Sequence, residues 1–112
     1  MVGATRPSVA FGFAYGTGVN AVAGAQLSTI SEGLGRALGV SSGVLVTSAP
    51  VGSPAGESGL ADGDVILKVA GQPVRRVSEV RDLVALAADN GDHAVELEIV
   101  RQKKGMKLSL KW

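Results

Sequence analysis

Two segments near the end of the chain set the tightest limit on what it can fold into. Ala94–Arg101 and Met106–Trp112 both alternate between apolar and polar residues. Val95, Leu97 and Ile99 fall on one side of the first segment, and Met106, Leu108, Leu110 and Trp112 on one side of the second. Glu96, Glu98, Lys107, Ser109 and Lys111 take the opposite positions. A period of two belongs to a strand with one dry and one wet face, and Lys103-Lys104-Gly105 joins the two as a hairpin. With residues 102 and 105 flanking the turn, Leu97 is expected opposite Leu110 and Glu98 opposite Ser109. Glu98 then lies diagonal to Lys107 and Lys111, a weak cross-strand pairing. The rest of the chain must extend this antiparallel sheet and cover its dry face.

The remaining elements follow from punctuation. Sixteen glycines and four prolines imply many turns, and 46% hydrophobic content with only 4% aromatics implies an aliphatic core. Gly24–Ile30 reads as a strand. Ser31 is an N-cap for a short helix over Glu32–Leu38, weakened by Gly33 and Gly35 and ended by a left-handed Gly39. Gly43–Ser48 reads as a strand buried on both faces. Pro54 fits the first turn of a very short helix over Ala55–Ser58, which Gly59 ends. Asp64–Ala70 is a second central strand, and Gly71-Gln72-Pro73 a turn. Ser78 is expected to cap the longest helix, Glu79–Ala88, which Asn90-Gly91 closes. The expected class is α+β, mainly β: a small, partly open β-barrel or sandwich of five or six strands with two helices.

The chain's 112 residues are one domain's worth. The absence of cysteine removes disulfides and thiolate metal sites. Eleven basic against ten acidic side chains give a net charge of +1, which argues against a dedicated nucleic-acid surface. No apolar run approaches the ~20 residues that span a bilayer. Met1–Pro7 lacks the apolar stretch of a signal peptide, and the chain is expected to be a fragment of a longer protein. Residues 1–20 read as an extension, with a possible edge strand at Ser8–Tyr15 and a turn at Gly16–Asn20. Residues 21–112 form the domain proper.

Residues 43–74 carry a denser pattern: Gly43-Val44-Leu45-Val46, Ser53-Pro54-Ala55, Gly59-Leu60, Gly63-Asp64-Val65-Ile66, Gly71 and Val74. Each piece alone is a turn and a strand. Together, in this order and spacing, they resemble the PDZ family in the circularly permuted form of HtrA-like bacterial envelope proteases, over about Val22–Leu110. The resemblance implies a module that binds C-terminal or unfolded segments of other proteins by strand addition beside a helix, the terminal carboxylate held by backbone amides. It implies a carboxylate loop at Val22, Ala23, Gly24 and Ala25. The receiving strand would be Gln26, Leu27, Ser28, Thr29 and Ile30.

The long helix has two adjacent apolar stripes, Glu79-Leu83-Leu86 and Val80-Val84-Ala87. The resemblance puts Glu79, Leu83 and Leu86 on the groove side, and both stripes serving as core is an equal alternative. With Leu27, Leu83 and Leu86 around it, an apolar terminal ligand residue is expected. The loop itself offers only valine and alanines, so Phe11, Phe13 or Tyr15 is a candidate to fill the pocket or to cover it. The implied setting is the periplasm or cell envelope. Neither a cofactor nor direct membrane insertion is expected.

Other functions fare less well. Gly16-Thr17-Gly18-Val19-Asn20-Ala21 matches a dinucleotide fingerprint, but a strand rather than a helix follows it. His93 reads as a loop histidine and Asp64 as a turn residue, and no serine stands beside a recognisable base. No catalytic or metal residue is therefore expected, and any protease activity would lie elsewhere in the parent protein. A structural reading survives as the alternative: docking or self-association, with the groove occluded by the leading segment. Trp112 either inserts in such a contact or caps the core. Arg75-Arg76 and Lys103-Lys104 read as solvated turns.

Overall fold

The structure, a computed structural model, describes residues 21–112. The expectations for a leading strand at Ser8–Tyr15, the turn after it and a groove cover from Phe11, Phe13 or Tyr15 lie outside the described residues.

The strands are β1 (Ala21–Val22), β2 (Ala25–Thr29), β3 (Val44–Ser48), β4 (Val65–Val69), β5 (Gln72–Pro73), β6 (Ala94–Arg101) and β7 (Lys104–Lys111). The helices are α1 (Glu32–Leu38), α2 (Pro54–Glu57) and α3 (Val77–Asp89). Among the described residues all strand pairs are antiparallel, in the order β1-β2-β3-β4-β6-β7 with β5 beside β4. The path ends at β1 and β7 without closing, so the architecture is the expected mainly-β α+β class with more elements than the sequence indicated.

The core is aliphatic. Val44, Val46, Val65, Ile66, Val69, Leu97 and Ile99 are almost wholly buried in the central strands, each contributing about 1.5–3 kcal/mol by leaving water. Val77 and Val80 bring α3 onto this core, with Leu83, Val84 and Ala87 packed partly against it. β3 was expected dry on both faces, but only Val44 and Val46 are buried and Thr47 is exposed.

Several caps fall where the sequence puts them. The Ser31 hydroxyl accepts from the Leu34 amide at 3.2 Å, and Gly39 ends α1 at φ 76°. Ser53 caps α2 from one residue before Pro54. α3 differs: it begins at Val77, and Ser78 lies inside it. Glu79 reaches back so that Oε1 accepts from the Arg75 and Arg76 amides at 2.8 and 3.0 Å. That carboxylate takes over the work of a short N-cap side chain, at the positive end of the helix dipole.

The β6–β7 hairpin turns one residue earlier than expected, which shifts the pairing register by two. Arg101 pairs with Lys104, so Leu97 faces Leu108 and Glu98 faces Lys107. Gln102 and Lys103 form the turn at φ 52° and 65° without a glycine, while Gly105 sits in β7 opposite Val100. A shift of two leaves every side chain on its original face.

Asp64 is the buried charged residue among those described, 1% exposed. Its Oδ1 accepts from Arg101 Nε at 2.8 Å, and its Oδ2 from Arg101 Nη2 at 2.7 Å and from the Ala61 amide at 2.9 Å. Arg101 Nη2 also donates to the Gly59 oxygen at 2.7 Å. The hydrogen bond to Asp64 raises the pKa of the guanidinium above its ordinary value. The glycine turn before β4 is thereby fastened to β6.

Candidate peptide-binding site

β1 and β2 pair as a minimal hairpin, Val22 opposite Ala25 and Ala21 opposite Gln26. Ala23 and Gly24 make the turn at φ 51° and 85°. Two successive left-handed residues define the tight turn that suits the twist of antiparallel strands. For alanine that conformation costs about 1–2 kcal/mol, so Ala23 is a strained residue held by its surroundings. Its carbonyl accepts from the Ala55 amide at 3.0 Å, joining the turn to α2. Val22, Ala23, Gly24 and Ala25 are all buried. Among the described residues neither the Ala23 nor the Gly24 amide donates to an acceptor.

From Leu27 to Thr29, β2 pairs with β3 on one side only, among the described residues. Leu27 points into the core at 3% exposure, while Gln26 and Ser28 are half-buried and Thr29 is exposed. Ile30 is half-buried just beyond the strand. The register breaks between Gln26 and Leu27, where Thr47 is an extra residue on β3. The Thr47 hydroxyl donates to the Gln26 oxygen at 3.0 Å. The bulge sharpens the twist of the sheet beside the turn.

Glu79, Leu83 and Leu86, the residues expected on the helix wall, line depressions that no residue of the loop or of β2 lines. Leu83 and Leu86 line a depression with Ala70, Val95 and Glu96, on the side of α3 toward the start of β6. Glu79 and Leu83 line a second one with Gln72, Pro73 and Asp82. Glu79 is also occupied with the start of its own helix, and the two amide hydrogen bonds, from Arg75 first, hold its pKa below the usual carboxylate value. By helical rotation, the flank on the other side of the buried Val80 is Val77, Arg81, Val84 and Ala88. Arg81, Val84 and Ala88 are each half-buried.

Among the described residues, no group of three or more His, Asp or Glu side chains is placed to hold a metal ion. No described helix is long and apolar enough to cross a membrane.

An open antiparallel sheet with an edge strand, a tight turn before it and one long covering helix is the architecture of a peptide-recognition module. The model of the PDZ domain matches residues 45–101, and the chain belongs to that family. Over 69 residues it is 44% identical to the magnetosome formation protease MamE of Paramagnetospirillum magneticum, covering 60% of this chain and 10% of MamE. Over 62 residues it is 39% identical to the putative serine protease HhoB of a Synechocystis species, covering 55% of this chain and 15% of HhoB. The chain thus matches only a small part of the length of these relatives. Among solved structures it is similar to the HtrA3 PDZ domain bound to a phage-derived ligand, FGRWV. The TM-score is 0.64 at 30% identity, over 78% of this chain and 79% of that one. The HtrA-type protease AlgW with a decapeptide shares the fold, with a TM-score of 0.63 at 22% identity over 80% of this chain and 27% of that one. The chain is a PDZ domain of the HtrA type, a module separate from any catalytic domain.

Proposed function

We propose that this domain binds the carboxyl-terminal segment of partner or unfolded proteins as an added strand on β2. The ligand backbone pairs with the Leu27–Thr29 edge, and its terminal carboxylate accepts from amides of the Val22–Ala25 loop. One observation carries the reading: a strained turn at Ala23-Gly24, buried and with amides that lack acceptors among the described residues, stands directly before that strand. A carboxylate is the acceptor such a nest favours. The wall across the furrow is the Arg81, Val84 and Ala88 flank of α3, in place of Glu79, Leu83 and Leu86. Its aliphatic lining, with Leu27 at the base, suits an apolar terminal side chain.

Both protease relatives and the peptide-bound neighbours support a role in delivering segments to a protease, with the parent protein in the bacterial periplasm or envelope. Titrating the chain with a peptide ending in valine, as the free acid and as the amide, tests the mode. The free acid is expected to bind at least about tenfold more tightly, equivalent to about 1.4 kcal/mol. Equal affinity would remove the carboxylate loop from the mechanism.

A further inference from the structure

The depressions on the other flank of α3 share Leu83 and run together as one shallow trough, of about 320 and 330 Å³ in its two parts. Its floor is apolar. Leu83 and Val95 lie at the base, and Leu86 stands 56% exposed at the lip, one of the few large apolar side chains the described surface leaves open. Its rim is charged with one sign. Glu79, Asp82, Asp92 and Glu96 all line it, and no lysine or arginine does. The chain as a whole is slightly basic at +1, so the acidic trough departs from the average surface. From Glu79 to Asn90 the helix rises about 16 Å, the length of roughly five residues of extended peptide. No residue of β2 lines the trough, which is walled by Ala70, Val95 and Glu96 in one part and by Gln72 and Pro73 in the other.

We propose that this trough is a second docking surface, for a partner segment with leucine-like side chains flanked by lysine or arginine. Its apolar residues cover Leu83 and Leu86, and its cations meet the carboxylates of Asp82, Asp92 and Glu96. The free β2 edge and carboxylate loop have no part in it, so a segment internal to its own chain serves.

The probe is a peptide blocked at both ends, with two central leucines flanked by lysine and arginine, titrated into the isotope-labelled 112-residue chain. Amide shifts are expected along residues 82–96 and not along 27–29. Affinity is expected to fall by about tenfold between 50 and 300 mM salt, as screened surface attraction does. Leu86→Lys, and separately the Asp92→Lys/Glu96→Lys pair, should each weaken the probe at least about tenfold, the loss expected of a central anchor. Both should leave the free-acid peptide's affinity unchanged. All three side chains are exposed, so folding is not at stake. Equal binding of a matched peptide with glutamates for its cations would overturn the proposal, as would shifts confined to β2. Contacts from residues 1–20 to Leu86, or concentration-dependent shifts there without peptide, would assign the trough to another occupant and overturn it equally.

Discussion

Asp64 and Arg101 meet end to end, two nitrogens on two oxygens at 2.7–2.8 Å, across 37 positions of sequence. The pair is asymmetric, with 1% of the Asp64 side chain exposed against 35% of Arg101. Its two halves should therefore fail differently. Arg101→Ala leaves a buried carboxylate with only the Ala61 amide as partner, and should cost about 3–5 kcal/mol of unfolding free energy. Asp64→Asn leaves a neutral side chain and an arginine that still reaches the Gly59 oxygen, and should cost about 1–3 kcal/mol. Urea unfolding of both variants at neutral pH checks the order.

Glu79 should make α3 acid-sensitive. Its pKa is lowered in the fold, chiefly by the hydrogen bond from the Arg75 amide. The charged form is thus favoured by folding, so its contribution is present above the unfolded carboxylate pKa and is lost as pH falls through the lowered folded value. Glu79→Gln should be less stable than the parent at pH 7 and should show a smaller loss of stability on acidification. Unfolding curves collected from pH 7 down to pH 3 would show it, and parallel pH profiles for the two proteins would contradict it.

The two flanks of α3 can be told apart with alanine. Val84→Ala should weaken a free-acid peptide ending in valine by about fourfold to fifteenfold, because one or two methyl groups in contact with it leave the furrow at about 0.8 kcal/mol each. Leu86→Ala should leave that affinity unchanged. Calorimetric titration of both variants decides between the flank inferred from the structure and the stripe carrying Glu79, Leu83 and Leu86.

Gly56 is the point of α2 against which the preceding loop packs most tightly. A Cβ there would collide with the Pro50 carbonyl and lie 3.1 Å from the Ala49 oxygen. The Ser53 hydroxyl, which donates to the Pro50 oxygen at 2.7 Å, fixes that approach. Gly56→Ala should cost about 1–3 kcal/mol, as overpacking does. Gly59→Ala differs in kind: open space surrounds its Cβ, and only its φ of 103° opposes the change. Thermal melts of the two separate crowding from backbone strain.

The sequence was most legible where chemistry is local. Ser31 and Gly39 bound α1 at the residues their side chains imply, because a hydroxyl beside an amide and a missing Cβ act within four residues. The β6–β7 hairpin shows the limit. Gly105 looked like the turn residue, yet Gln102 and Lys103 take the left-handed conformation, and pairing along eight-residue strands outweighs their local preference. α3 shows the same limit at its start, where Glu79 supplies from inside the helix what Ser78 seemed placed to supply from its end. For the candidate site, the family pattern pointed to the residues around Gly24, and the fold places a tight turn at Ala23 and Gly24 directly before β2. The helix wall is less legible, since two stripes one residue apart differ only in which neighbours they meet.

The bond from the Ala55 amide to the Ala23 oxygen makes one proton a gauge of the whole entrance. Solvent can reach that proton only when the β1–β2 turn lifts away from α2. Its exchange rate with deuterium therefore records how often the strained turn relaxes. A ligand that seats there must slow the clock, even if it never touches α2.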